Sequence, residues 1–131
     1  MGLKDRIEDE MVVDTESILE DNFEEANQLF RIFQDGTIDI SNDYEDNSWK
    51  DKLLIHLIGR QYAFEADKVD TPSLPYDFFY ARVDVDKSTV RKHMNKLADE
   101  LIVTKTEEDE EWKLVTDNLP EALGRIEDSE N

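Results

Sequence analysis

The sequence predicts a mainly α-helical domain with small β-hairpins, an α+β fold. Apolar residues recur at spacings of three and four in several segments, as on one face of a helix. Two pairs of short alternating segments flank polar turns, as in β-hairpins. The chain has 131 residues and no cysteine, and its 2 Trp, 4 Tyr and 6 Phe are spread along it. One hydrophobic core can therefore form at this size without disulfides.

The chain is strongly acidic, with 34 Asp and Glu against 15 Lys and Arg and a net charge of −19. These acids run from one end to the other, whereas a disordered acidic tail would concentrate them and lack aromatic residues. We expect a folded domain adapted to a salt-rich cytoplasm, as in haloarchaea, where ~1 M salt shortens the screening length to ~3 Å. The alternative is an ordinary acidic protein that avoids nucleic acid.

Residues 1–47 are predicted to form a helix and hairpin extension. A short amphipathic helix is expected around Leu3, Ile7 and Met11, and a longer one over Thr15–Phe30, capped by Asp14 or Thr15. The apolar stripe of the longer helix packs on the domain or on a second copy of itself. That stripe consists of Leu19, Phe23, Ala26 and Phe30.

A hairpin is predicted next, with strands near Phe30–Gln34 and Thr37–Ile40. Asp35-Gly36 between them is a dipeptide that accepts positive φ at both central positions of a tight turn.

The central helix is predicted over Trp49–Ala66, opened by a capping box from Ser48 to Asp51. It is apolar over so much of its circumference that we expect it to be the most buried helix. Gly59 inside it predicts close approach by another helix. Its apolar residues are Leu53, Leu54, Leu57, Ile58, Tyr62 and Ala63.

The following elements are a short helix over Pro75–Ala81, a tight connection Arg82–Val85 and a helix 86–101 capped by Asp86. The inward stripe of helix 86–101 is predicted to be Val90, Met94, Leu97 and Leu101. A hairpin is expected from strands 101–104 and 111–115. A short final helix begins at Leu119, capped by Asn118, with Leu123 and Ile126 as its apolar side, before an acidic tail.

The outer face of helix 86–101 is basic and polar. At 100° per residue, Ser88, Arg91, Lys92, Asn95 and Asp99 fall opposite the stripe, with Thr89 and Lys96 on one flank. Residues 82–96 hold five of the 15 basic residues and two acids, a net charge of +3, so the other 116 residues carry −22. Of the residues opposite the stripe, Ser88, Arg91, Lys92 and Asn95 have side chains of the kinds that bond phosphates and base edges.

This order of elements, with the segment KSTVRKHMNKLADELIV, resembles the winged helix-turn-helix proteins of haloarchaeal type over about residues 48–126. The resemblance implies an N-terminal extension over 1–47, a winged helix-turn-helix over 48–116 and a C-terminal helix with acidic tail over 117–131. It implies a transcriptional regulator that binds double-stranded DNA as a homodimer, joined through its N-terminal or C-terminal helix. Helix 86–101 would lie in the major groove. Ser88, Thr89, Arg91, Lys92 and Asn95 would contact bases or phosphates, and Lys87 and Lys96 the backbone.

Two features depart from that family. The predicted wing tip, residues 107–111, is five consecutive acids where a wing that touches DNA would be basic, although Lys105 and Lys113 lie at its base. The connection Arg82–Val85 lacks glycine. An alternative function is therefore a winged-helix adaptor that binds protein and leaves DNA alone.

Other classes of function find no support in the sequence. We expect no enzyme and no cofactor, because the four glycines are dispersed and the many acids pair by chance. We expect no metal site either, with His93 a boundary residue and His56 a partly buried polar group. No apolar run approaches the roughly 20 residues of a membrane span, and residues 1–10 lack a signal-peptide core or myristoylation motif. We therefore expect a cytoplasmic protein without a membrane partner.

Overall fold

The computed structural model describes residues 2–10, 15–106 and 110–126. Within these residues the fold is α+β, as predicted, with seven α-helices and two antiparallel hairpins. The elements are α1 (Leu3–Glu10), α2 (Thr15–Asp21), α3 (Phe23–Asn27), β1 (Phe30–Ile32), β2 (Ile38–Ile40), α4 (Trp49–Glu65), α5 (Tyr76–Tyr80), α6 (Lys87–Asp99), β3 (Val103–Lys105), β4 (Trp112–Leu114) and α7 (Leu119–Arg125). Two 3₁₀ turns, Asn42–Tyr44 and Thr116–Asn118, precede α4 and α7.

Helix α4 is the centre of the core, as predicted. Its Leu53, Ile55, Leu57 and Ile58 are almost fully buried, and both hairpins and α7 contact it. The Ser48 hydroxyl accepts a hydrogen bond from Asp51 N at 3.3 Å, which satisfies one of the free amides at the helix start. One cluster of buried residues runs from Leu19 to Ile126, so the N-terminal elements and the later helices share a core.

The predicted helix over Thr15–Phe30 is instead two short helices broken at Asn22. The Asn22 side-chain amide donates to Ile18 O at 2.8 Å, and such local bonds of Asn offer the backbone an alternative to continuing a helix. Phe30 belongs to β1, and Phe23 is 53% exposed, so the predicted stripe is buried only at Leu19, Ala26 and Phe30. The possible cap Asp14, like Met11, lies outside the described residues.

The first hairpin forms as predicted but with a different turn. Ile32 pairs with Ile38, and the amide of Phe33 donates to Thr37 O at 2.9 Å. Among residues 33–37 only Gly36 has positive φ (+90°), and its amide donates to Phe33 O, so the turn is a three-residue loop that ends in a left-handed residue. The prediction of positive φ at Asp35 as well was wrong.

The hairpin packs directly on α4 at Gly59. A Cβ atom at this position would lie 2.9 Å from both Cδ1 and Cγ2 of Ile38. The close approach predicted from Gly59 is therefore real, but its partner is strand β2 and not a helix.

Helices α5 and α6 are joined by the tight connection 81–86, and α6 leads into the hairpin β3–β4. A segment before α5 extends this hairpin, because Leu74 and Trp112 exchange backbone hydrogen bonds of 2.7 and 2.8 Å. No pattern in the sequence indicated that bridge. Helix α7 buries Leu119, Ala122 and Leu123 in the core, with Ile126 beside them.

The end of α6 differs from the prediction. Val90, Met94 and Leu97 are buried, as predicted, but Leu101 is 64% exposed and lies beyond the helix. It adopts φ +63°, while Leu101 N donates to Ala98 O and Ile102 N donates to Leu97 O. These two bonds form a Schellman motif, and Ile102 takes the buried place predicted for Leu101.

No helix in the described parts of the chain combines the length and apolar character that crossing a membrane requires.

Candidate nucleic-acid interface

Helix α6 is fixed by its inner face and its two ends. Asp86 occupies the N-cap position, where its carbonyl accepts from the amides of Thr89 and Val90, but its carboxylate makes no capping bond. At the other end, Glu100 forms an ion pair with Arg125 of α7. The helix packs on α5 and β3. Its outer face is thereby presented to solvent in a defined orientation.

All seven predicted site residues are exposed. They are Lys87, Ser88, Thr89, Arg91, Lys92, Asn95 and Lys96. Apart from Lys87, the side chains of these residues make no hydrogen bond to the described part of the chain. Arg91, Lys92 and Lys96 form no ion pair there either. From Ser88 to Asn95 the rise along the helix is about 10 Å, which is comparable to the ~12 Å width of the DNA major groove.

A shallow groove brings six of the seven together. Ser88, Thr89, Arg91, Lys92, Asn95 and Lys96 line it from α6. The first turn of α4 forms the other wall with Trp49 and Lys50. The seventh residue, Lys87, lies apart, with its Nζ 5.2 Å from the centroid of the Tyr80 ring.

Trp49 and Lys50 were missed by the sequence reasoning. The Trp49 ring meets His93 of α6 edge-on, with 5.3 Å between centroids, and Lys50 Nζ lies 5.8 Å from the Trp49 ring centroid. Only this packing of α4 against α6 places a further cation beside the basic face. The only signal in the sequence was a Lys in the first turn of a helix, which is too common to be informative.

His93 forms part of the groove as a neutral group. Burial, followed by the positive charges of Lys50 and Lys96, lowers the pKa of His93 to about 4. The ring is partly buried at the edge of the groove, which agrees with the boundary position expected for it. Among the residues that the structure describes, no three His, Asp or Glu side chains are grouped as metal ligands would be.

The hairpin β3–β4 is the predicted wing, and its tip is only partly described, because residues 107–109 lie outside the described ranges. Glu111 is not a solvated tip residue: its carboxylate accepts from the Ser73 hydroxyl at 2.6 Å, and its carbonyl accepts from Thr106 N at 2.7 Å. Glu110 is exposed, while Lys105 is exposed on β3 and Lys113 half-buried on β4. Of the five acids predicted at the wing tip, Glu111 is therefore part of the packing between the hairpin and the segment before α5.

No protein-family model matches the chain, and neither the curated proteins nor the solved structures include one detectably similar to it.

Proposed function

We propose that this chain is a winged helix-turn-helix protein that binds double-stranded DNA as a transcriptional regulator, with α6 in the major groove. The observation that carries the proposal is the outer face of α6. It is exposed and basic, and its side chains are bonded to nothing else in the described chain, although acids outnumber bases more than two to one. In a protein so acidic, unpaired cations gathered on one helix favour a polyanionic partner.

The arrangement around α6 supports the same proposal. Helices α4, α5 and α6 followed by the hairpin β3–β4 have the order of the resembling family. The bridge between Leu74 and Trp112 ties the hairpin to the segment between α4 and α5. The hairpin also contacts α6 through β3, which supports the proposal that it acts as a wing.

The acidic remainder of the chain opposes DNA at low salt. In a salt-rich cytoplasm, which we propose as the setting, charges more than a few ångström from the phosphates are screened. Contacts made directly by α6 would persist there, while long-range repulsion from the other residues would be suppressed.

We also propose a homodimer, and we choose its contact surface by which terminal helix leaves apolar residues exposed. Helix α7 buries its apolar side within the chain, whereas α1 leaves Leu3 72% exposed and Ile7 39% exposed. We therefore place the dimer contact at α1. Two copies would then present two α6 helices to half-sites about 34 Å apart.

The deciding experiment is a DNA-binding titration over a range of KCl up to molar concentrations. We compare wild type with Arg91→Ala/Lys92→Ala, and the matched control is Lys68→Ala/Arg31→Ala, which removes the same two charge types from exposed positions outside both the α6 groove and α1. If Arg91 and Lys92 each bind a phosphate, the double variant should reduce the magnitude of the salt slope by about two, one for each lost contact. The control should keep the wild-type slope. Absence of wild-type binding at every salt concentration, or equal losses in both variants, would rule out α6 as a DNA reader.

The second candidate function is a winged-helix adaptor that binds protein. The exposed Glu110 and the net charge of −22 outside residues 82–96 favour it, since an acidic wing repels phosphates. It predicts no DNA binding at any salt concentration in the same titration.

A further inference from the structure

A cavity of about 190 Å³ lies between the turn of the first hairpin and helices α4 and α5. Cavities of ~150 Å³ in proteins hold a benzene molecule, so this one is large enough for a single ring that carries a small polar group. It lies apart from the groove at α6, since the two share no lining residue.

Two arginines face this cavity with most of their hydrogen-bonding capacity unused. Arg60 Nε donates to Thr71 O at 2.8 Å, and one terminal nitrogen of Arg82 donates to Phe78 O at 3.0 Å. A guanidinium has five N–H donors, and neither side chain makes a further hydrogen bond or an ion pair to the described residues. Such donors suit a carboxylate.

The acids near the cavity leave these arginines unpaired. Asp35 lies at the rim, where its carboxylate accepts from the Thr37 amide at 2.9 Å, and the hydrogen bonds from Thr37 lower its pKa. Burial lowers the pKa of Arg60, an effect that the charges of Glu111 and Asp70 oppose. Glu111 itself is held by the Ser73 hydroxyl.

The rest of the lining is apolar or neutral. Ile38, Leu74 and Phe78 contribute aliphatic and aromatic surface, and the His56 ring meets Phe78 edge-on with 5.1 Å between centroids. Burial, followed by the charges of Arg82 and Lys52, lowers the pKa of His56 to about 4, so the imidazole is neutral at pH 7. Its Nδ1 atom is buried and has no hydrogen-bond partner in the described residues. A buried polar atom without a partner is costly unless something else bonds it.

We propose that this cavity binds a small carboxylate with a compact apolar body, held by Arg60 and Arg82 through the carboxylate and by Ile38 and Phe78 through the body. The arginines provide the charge recognition, and the volume limits the body to about the size of one ring. The proposal does not depend on DNA binding, so the two can fail separately.

The test titrates the full chain with benzoate, followed by calorimetry and by amide chemical shifts at a fixed KCl concentration. Benzyl alcohol, of similar shape without charge, and inorganic phosphate, charged without an apolar body, are titrated in parallel. We expect saturable benzoate binding with shifts confined to residues 35–38, 56–60 and 74–82, and binding at least about tenfold weaker for the other two probes. Absence of saturable benzoate binding overturns the proposal. If benzyl alcohol binds as tightly as benzoate, the proposed recognition of the carboxylate is wrong. If phosphate binds as tightly as benzoate, the proposed recognition of the apolar body is wrong.

The variant Arg82→Gln tests the residues. Arg82 lies over the Phe78 ring, with Cζ 3.6 Å from its centroid. The matched control is Arg31→Gln, because Arg31 lies over the Phe33 ring, with Cζ 5.6 Å from its centroid, but is outside the cavity. We expect benzoate binding to weaken about tenfold in Arg82→Gln and to be unchanged in the control. Unchanged binding in Arg82→Gln, or equal weakening in both, refutes the assignment. Circular dichroism checks that each variant is folded, and the comparison of the three probes on wild type needs no variant.

Discussion

Leu101 holds a backbone conformation that its side chain disfavours. Its φ of +63° is the left-handed position of the Schellman motif, where glycine adopts the conformation without steric cost. Because the side chain is 64% exposed, replacing it loses little burial. We expect Leu101→Gly to raise the free energy of unfolding by about 1 kcal/mol, measured by urea denaturation.

A matched glycine substitution inside α6 should have the opposite effect on the free energy of unfolding. Lys92 is exposed in the middle of α6 with helical neighbours on both sides. Lys92→Gly should lower the free energy of unfolding by about 1 kcal/mol, because glycine is a poor helix former. If both substitutions destabilise the protein equally, Leu101 does not occupy a left-handed position.

His56 should make stability depend on pH. Its pKa is about 4 in the folded protein against 6.5 for an ordinary histidine, so the unfolded chain binds the proton more readily. Its stabilising contribution is therefore complete above pH 6.5 and is lost as pH falls from 6.5 towards 4. Between pH 7 and 5 the wild type should lose about 1–2 kcal/mol more than His56→Gln does.

The measurement for His56 is urea denaturation of both proteins from pH 8 to pH 5. All other ionisable groups are the same in both proteins, so their contribution to the pH dependence cancels in the difference. Between pH 8 and 7 the difference should stay constant, which serves as the internal control. A constant difference down to pH 5 would contradict a buried neutral His56.

Helical periodicity correctly predicted three buried residues of the four in the inward stripe, Val90, Met94 and Leu97, but it was wrong for Leu101. An i, i+4 pattern continues through a helix end as long as apolar residues follow. The Schellman motif depends instead on a left-handed φ, which glycine normally signals and leucine does not. The local signal was therefore absent.

The contact between strand β2 and helix α4 limits which residue can occupy position 59. Glycine is less favourable than alanine inside a helix, and the close approach of Ile38 explains why no larger residue occupies position 59. Gly59→Ala should destabilise wild type by about 1 kcal/mol, since overpacking against the branched, stiff Ile38 exceeds the gain in propensity.

In an Ile38→Ala background the same substitution should stabilise the protein by about 1 kcal/mol, because only the propensity gain remains. A double-mutant cycle in urea denaturation measures both values. The same sign in both backgrounds would mean that β2 does not limit position 59.

Elements with a strong local signal were predicted well, and those decided by tertiary contacts were not. Helix α4 follows from the Ser48 cap and its long apolar sequence. The break at Asn22 depends on one side-chain hydrogen bond to Ile18 O, and the bridge between Leu74 and Trp112 joins residues 38 positions apart. Neither contact produces a periodic pattern in the sequence, so neither could be predicted from it.

The candidate surfaces of the whole molecule were predictable to different degrees. The basic face of α6 follows from helical spacing, because all its members belong to one element. Trp49 and Lys50 join it only through the packing of α4 on α6. The cavity gathers Asp35, Arg60 and Arg82 from three distant parts of the chain, and no spacing rule could bring them together.

The net charge of −19 should make the stability of the whole molecule rise with salt. Like charges 10 Å apart repel by ~0.4 kcal/mol in water, and many such pairs exist on a surface this acidic. Raising KCl from 0.1 to 1 M shortens the screening length from ~10 to ~3 Å and removes most of this repulsion. We expect the free energy of unfolding, from urea denaturation, to rise by about 2–4 kcal/mol over that range.

Charge variants separate this repulsion from the general strengthening of apolar burial by salt, which acts on all variants alike. Neutralising four exposed acids as amides should flatten the salt dependence, because the net charge changes from −19 to −15. Neutralising four exposed lysines as glutamine should steepen it, because the net charge becomes −23. The acids are Glu20, Glu24, Glu45 and Asp46, and the lysines are Lys50, Lys92, Lys96 and Lys105. Equal slopes in both variants would show that the stabilisation by salt does not arise from charge repulsion, and the proposed adaptation to a salt-rich cytoplasm would lose its physical basis.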